Sequence, residues 1–257
     1  MLKLAATSGE TQLPWVPVLQ YHQVVPRLPD RDPYANCITT SVFEDHLRWL
    51  AWRGYRALTV SELTQPGAHG RGYGGLRVAI TFDDGYEDNC TYALPLLMRY
   101  GFNATVFVVT DTVGAYNDFD ADVGVDRTRM LTASQIQTLA SCGIEIGSHT
   151  CSHPPSLPAL SDGGLHAELR NSRQILEDIV GGPVHSFSYP HSRVSSRAEA
   201  AVASAGYRAA CAGVGTRFTL YRLSRVATSA SRGLTLEAAF GWRWMKHAVG
   251  QYPLSRT

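Results

Sequence analysis

The stretch that decides the reading is LRVAITFDDGYEDN, residues 76–89. Its first seven residues are β-branched, aromatic or otherwise apolar for the most part, the composition of a strand buried in a sheet. Asp83 and Asp84 follow at once, and Gly85 follows them. Asp-Asp-Gly is also ordinary turn chemistry. A turn alone does not explain two adjacent carboxylates at the end of a buried strand, where like charges repel and each must find a partner or lose its ionisation. The carboxyl ends of strands are where α/β sheets and barrels build their sites. A cationic partner elsewhere in the chain is therefore expected.

The chain has 257 residues, enough for one large α/β domain or two small ones, and a formal net charge of +1. It offers no basic stripe for a polyanion, so nucleic acid is not expected as a partner. The start, MLKLAATSGETQLPWVPVLQYH, lacks an apolar run of signal-peptide length, and no later run reaches the length of a membrane span. As written the chain is expected in the cytoplasm; a processed form of an exported protein would begin the same way. The cysteines Cys37, Cys90, Cys142, Cys151 and Cys211 are odd in number and contain no CxxC pair, which predicts free thiols.

Outward from the aspartates, strand and helix patterns alternate. WVPVLQYHQV reads as a first strand. TTSVFEDHLRWLAWRGY reads as a helix capped by Thr40 or Ser41, with Phe43, Leu47 and Leu50 on one face and Gly54 at its end. RALTV is a short extended piece, SELTQPG a turn or helix stub, and GAHGRGYGGL a loop too irregular to cradle a nucleotide. After Asp84 come the helix TYALPLLMRYG, the strand NATVFVVT, the helix TASQIQTLASCG, the strand IEIGSHT and the long amphipathic helix LHAELRNSRQILEDIVG. VHSFSYP, SRAEAAVASAGY and RAACAGV continue as strand, helix and strand, and residues 234–250 read as a final helix. This order predicts a single α/β domain with a parallel sheet.

The partner for the aspartates is GSHTCSHP, residues 147–154, directly after a strand. His149 and His153 stand four residues apart, so a helical turn or a curled loop can aim both imidazoles at one metal ion. Two histidines and one carboxylate form a facial set that leaves coordination positions open, as catalytic zinc and non-haem iron sites do. One aspartate suffices as ligand. The other is free to act as a base on water activated by the cation, and the cation offsets the repulsion between the two. Zinc suits this donor set first; cobalt, nickel and iron are chemically admissible.

These residues resemble a known family. ITFDDGYEDN, YALPLLMRYGFNATVFVV, LTASQIQTLASCGIEIGSHTCSH, LRNSRQILEDIVGGPVHSFSYP and AGYRAACAGV are similar, in order, to the blocks of the polysaccharide deacetylases, carbohydrate esterase family 4 or NodB homology domain. The resemblance extends over about residues 15–230. It implies a distorted (β/α) barrel and metal-dependent removal of the acetyl group from an N-acetylated amino sugar, in a polymer, an oligomer or a small glycoside. It implies Asp83 as general base, and Asp84, His149 and His153 as ligands of one divalent metal. Tyr189, Pro190 and His191 would then form the oxyanion and substrate segment, with the His191 N–H facing the oxyanion.

Two departures stand out. The family's third motif commonly opens with an arginine that orients the catalytic aspartate, and here SYPHS puts Ser188 in its place. Serine supplies neither the charge nor the bidentate grip, so the tuning of Asp83 is open. The family's C-terminal L-x-H histidine is also missing, since LYRLSRVATS has none and His247 falls on the tail helix. VLQYHQVV resembles instead the N-terminal YH block of a branch whose barrel is circularly permuted, which makes His22 the expected acid. The rival reading is a member of the same fold that binds carbohydrate without turning it over.

Overall fold

The computed structural model describes residues 13, 15–65, 75–215 and 217–228. The glycine-rich loop and the tail helix expected at 234–250, with His247, fall outside the described residues.

The strands are β1 (Val18–Tyr21), β2 (Gln23–Val25), β3 (Cys37–Thr39), β4 (Tyr55–Leu58), β5 (Leu76–Phe82), β6 (Thr105–Val108), β7 (Glu145–Ser148), β8 (Ser186–Ser188), β9 (Ala209–Cys211), β10 (Phe218–Thr219), β11 (Arg222–Leu223) and β12 (Val226–Ala227). The main sheet runs β10-β11-β9-β8-β7-β6-β5-β1-β12, with β4 on the first half of β5. All of its pairs are parallel except β10 with β11. The alternating pattern of the sequence is thus realised as a mostly parallel α/β sheet. β2 and β3 form a separate parallel pair.

Helices α1 (Thr40–Trp52), α2 (Val60–Thr64), α3 (Leu94–Tyr100), α4 (Ala133–Ser141), α5 (Asp162–Val180) and α6 (Ser196–Ser204) connect the strands. α1 buries Phe43, Leu47 and Leu50 as its spacing predicts, but its cap is Thr39, whose side chain accepts the Val42 N–H. The stub after β4 is a true helix with a reciprocal capping box between Thr59 and Glu62. A π-helical turn at Asn89–Ala93 precedes α3, so the helix proper starts at Leu94.

Side-chain parity divides the core. Leu19, Val78, Ile80, Val106, Val108 and Ala210 belong to the larger hydrophobic cluster, which takes in the buried faces of α1 and α3–α6. Val18, Ala79, Phe107, Ala209, Cys211, Phe218 and Leu223, from strands at both ends of the sheet, meet in a second cluster. A sheet whose distant strands share one cluster is curled around it, as a distorted barrel requires. Leu223 pairs with Cys211 of β9, and three residues later Val226 pairs with Leu19 of β1. Gly147 is needed in this interior: a Cβ there would lie 2.5 Å from the Phe107 ring.

The interior is polar at both ends of that cluster. On the amino side Glu145 accepts from Thr105 Oγ1 at 2.9 Å, Ser186 Oγ at 2.6 Å and the Ser61 amide at 3.0 Å. On the carboxyl side the same parity continues from Ala79 through Thr81 to Asp83, and from Val18 through Gln20 to His22. That end carries the candidate site.

Candidate metal centre and active site

Strand β5 delivers Asp83 and then breaks. The Asp83 amide donates to the Tyr21 carbonyl at 2.9 Å, the last step of pairing with β1, and the chain then turns through left-handed backbone at Asp84 (φ 72°) and Gly85 (φ 82°). The turn reverses the side chain of Asp84 relative to strand parity, which lets two sequence neighbours serve different partners.

His149 follows β7 and is fixed at both ends. Its amide donates to the Val108 carbonyl at 2.9 Å, and its Nδ1 lies 2.8 Å from the Ser188 carbonyl, which leaves Nε2 to face Asp84 Oδ1 at 3.3 Å. His153 approaches the same oxygen through Nε2 at 3.5 Å. The four-residue spacing is met by a curled loop, not a helical turn: Thr150 and His153 both have positive φ, and the His153 amide donates to Thr150 Oγ1 at 3.0 Å. The ligand atoms of Asp84, His149 and His153 all lie within 4.8 Å of one another, and all three residues are buried.

The electrostatics suit a cation. Burial alone would raise the Asp84 carboxyl, but the hydrogen bond from His149 and the charge of the surrounding imidazoles bring it below the usual carboxylate value. Burial would lower His149, yet Asp83 and Asp84 hold it above its ordinary value. His153, where burial wins, is pushed down to about 3 and is neutral. A divalent ion would take the place of the contact between His149 Nε2 and Asp84, and His153 already offers a lone pair. The donor set and its protonation fit a metal of the zinc type.

Asp83 has a different environment. Arg225, fully buried, donates Nη1 to Asp83 Oδ1 at 2.7 Å and Nη2 to Oδ2 at 2.6 Å. Its remaining donors reach the Ala212 carbonyl at 2.8 Å, Thr81 Oγ1 at 3.2 Å and Ser188 Oγ at 3.0 Å. Gln20 Nε2 adds a bond to Asp83 Oδ2 at 3.0 Å. Burial would raise this carboxyl, but Arg225 above all holds it far below the usual range. The arginine missing from the third motif is therefore supplied by residue 225, between β11 and β12, and Ser188 is the small residue that accepts from its guanidinium. The sequence carried half of this signal: an arginine in the apolar run LSRVA is a candidate for burial against an anion, but nothing local says which anion.

His22 Nε2 lies 3.9 Å from Asp83 Oδ2, and the His22 carbonyl accepts from Asn89 Nδ2 at 2.8 Å. His22, Asp83, Asp84, His149, His153 and His191 line one cavity of about 260 Å³. Tyr189 also lines it, but its hydroxyl donates to the Tyr221 carbonyl at 3.1 Å, which makes it a brace. Pro190 is buried beside it and begins a tight turn in which His191 (φ 52°) and Ser192 (φ 58°) are left-handed. The His191 ring packs on His153 with centroids 4.6 Å apart, and the His191 amide makes no hydrogen bond among the described residues. Asp120, from the loop between β6 and α4, lines the cavity as well.

Fold and site together define an α/β protein with a candidate Asp-His-His metal centre at the carboxyl ends of its strands and an ion-paired carboxylate beside it. Residues 72–210 match the model of the polysaccharide deacetylase family, and the chain belongs to that family. YxkH of Bacillus subtilis (strain 168), named for the same family, is 29% identical over 197 residues, 75% of this chain and 62% of that protein. The poly-beta-1,6-N-acetyl-D-glucosamine N-deacetylase of Escherichia coli (strain K12) is 28% identical over 136 residues, half of this chain and 20% of its own length. The chain thus spans less than two thirds of these curated relatives. Among solved structures, the Streptococcus pyogenes deacetylase PplD in complex with acetate superposes with a TM-score of 0.73 at 22% identity, covering 88% of this chain and 96% of that one. IcaB from Ammonifex degensii superposes at 0.70 with 20% identity, covering 92% and 98%. These two likenesses concern the fold.

Proposed function

We propose that the protein is a metal-dependent N-deacetylase that hydrolyses the acetamide of an N-acetylated amino sugar. The observation that carries this reading is the convergence of Asp84, His149 and His153 on one point, with Asp83 held ionised beside it. The E. coli relative's name adds a polymer of N-acetylglucosamine as the first substrate to try.

Asp84, His149 and His153 would hold one divalent cation, zinc first, which supplies a Lewis acid for water and for the acyl oxygen. Asp83, fixed by Arg225 and Gln20, is an anionic acceptor aimed into the cavity and takes the proton of the attacking water. The His191 N–H has no hydrogen-bond partner among the described residues and serves the oxygen on which negative charge develops. His22, on the Asp83 side of the cavity, gives a proton to the nitrogen as the C–N bond breaks, so that acetate and a free amine leave.

The test is acetate release by the metal-reloaded protein from N-acetylglucosamine, its short oligomers and small N-acetylated glycosides, with a chelated control. Chelator-sensitive acetate is expected. Sugar binding without acetate, with metal shown to be bound, would replace this reading by the carbohydrate-binding one.

A further inference from the structure

Asp120 is unaccounted for by the chemistry above. It is only 5% exposed, lines the cavity, and its carboxyl makes no hydrogen bond among the described residues. The loop that carries it is built to hold it there. Asn117 Oδ1 accepts the Thr128 N–H at 2.6 Å, Asn117 Nδ2 donates to the Asp126 carbonyl at 3.1 Å, and the Asp120 N–H closes onto the Asn117 carbonyl at 3.1 Å. Neighbouring Phe119 packs on the His153 ring, centroids 4.5 Å apart, which ties the loop to the metal centre. A carboxyl with no hydrogen-bond partner among the described residues, held at a cavity wall by a braced loop, points to a ligand that donates to it.

Across the cavity Tyr34 is 44% exposed although it lines the same space. Its loop is pinned as well: Asp32 accepts the Asn36 and Cys37 amides, each at 2.9 Å. Asp120, Tyr34 and Asp84 line the same cavity, and the charge of Asp120 helps to raise the Tyr34 and Tyr86 phenols. Burial first, and Asp84 second, push the Asp120 carboxyl up to about 6. It is not one of the three converging ligand residues. What suits an acceptor-only group beside an exposed aromatic face is a sugar: hydroxyls donate, and the apolar face of a pyranose covers the ring. The cavity, about 260 Å³, is at the small end for ligand sites and holds about one sugar unit.

We propose that Asp120 and Tyr34 select the sugar unit whose acetamide is cleaved, Asp120 by accepting a ring hydroxyl and Tyr34 by covering one face of the ring. This rests on the deacetylase reading of the same cavity. The two residues act on binding and orientation, and the hydrolytic step does not pass through them.

The test is calorimetric titration of chelated protein, where no turnover intervenes, with N-acetylglucosamine, a short oligomer of it and the monodeoxy forms that each lack one ring hydroxyl. KM and kcat of the zinc-loaded protein are measured in parallel. One monodeoxy form is expected to bind wild type more weakly by about 10- to 100-fold, the worth of a hydrogen bond to a charged acceptor. Asp120→Ala should lose the same factor on the parent sugar and no longer distinguish that form, with KM raised and kcat little changed. Tyr34→Ala should weaken all forms while Tyr34→Phe binds as wild type does; position 34 is on the surface, so this pair stands even if Asp120→Ala folds poorly.

The assignment is overturned if Asp120→Ala and Asp120→Asn bind every form as wild type does, or if they weaken all forms equally. Chelator-sensitive acetate release by wild type reports separately on the deacetylase reading. A protein that binds sugars through Asp120 but releases no acetate would refute that reading and keep only the sugar-selecting contacts, without an acetamide to cleave.

Discussion

Arg225 grips Asp83 with two parallel hydrogen bonds, 2.7 and 2.6 Å, although the two residues stand 142 positions apart, and both are buried. The planar fork fixes the carboxylate plane as well as its charge, so the proposed base would enter the reaction already oriented. Asp83 lines the cavity together with His22, Asp84, His149 and His153.

Replacing Arg225 by methionine should therefore cost both activity and stability. Turnover should fall on the order of 100-fold from misorientation alone. An uncompensated buried carboxylate should cost about 3 to 5 kcal/mol of unfolding free energy. The folded-state pKa of Asp83 is depressed, so the stability it contributes is present above the ordinary carboxylate value and lost as pH falls through the depressed one. The gap between wild type and variant should accordingly narrow in acid, as urea titrations over a pH series would show. Arg225→Met combined with Asp83→Asn should recover stability without recovering acetate release. Arg225→Lys should not restore wild-type turnover, because an ammonium cannot hold both oxygens in one plane.

Replacing His149 by alanine should separate metal from fold. One of three ligands is removed, and metal content after dialysis against trace zinc, read by atomic absorption, should drop well below one per chain. Wild type should gain thermal stability when zinc is added, and the variant should gain little. A variant that stays fully loaded would remove the triad as the metal site.

The alternation of strands and helices was legible because each parallel strand is an apolar run and each helix has a 3.6-residue face, and both signals are local. Asp83, Asp84, His149 and His153 were legible because they sit at strand ends in tight spacing. Arg225 was not: its partner is fixed only when the stretch holding β11 and β12 comes to lie across the interior from β5, a relation no local pattern carries. The left-handed turns at Asp84, Thr150, His153 and His191 were equally hidden, since positive φ is uncommon for any non-glycine residue and only the assembled site holds them there. Asp120 was not legible either, because its place at the cavity wall depends on the Asn117 and Phe119 contacts.

Asp88 should give the protein a stability that declines with rising pH. Its Oδ1 accepts the Val24 N–H at 2.9 Å and Asn89 Nδ2 at 3.0 Å, while buried Oδ2 has no partner among the described residues. Burial pushes the carboxyl from 3.8 up to about 7. The folded value lies above the unfolded one, so the contribution is fully present below the unfolded pKa and is lost as pH rises through about 7. The slope is about 1.4 kcal/mol per pH unit, about 4 kcal/mol in all. Asp88→Asn keeps a carbonyl for the Val24 N–H and cannot ionise. Its unfolding free energy should lack this decline when urea midpoints are compared between about pH 5 and about pH 7.

His22 is the side chain whose replacement should discriminate between proton donor and structural filler. Its backbone carbonyl is what the fold uses, through Asn89 Nδ2 at 2.8 Å, and that bond survives a change of side chain. Alanine at this position should therefore leave the melting temperature within a few degrees of wild type. Metal content should also be unchanged, because His22 is not among the converging ligands. Turnover should nevertheless fall by about 100- to 10,000-fold, the span of general acid catalysis. The loss should shrink for substrates whose leaving nitrogen is less basic, such as N-acetylated anilines, since a weakly basic amine needs less help to depart. A substrate-independent loss would mean that His22 acts only by holding Asp83, 3.9 Å away. Wild-type turnover would exclude it from the reaction, and the proton for the amine would then have to come from another side chain of the cavity wall.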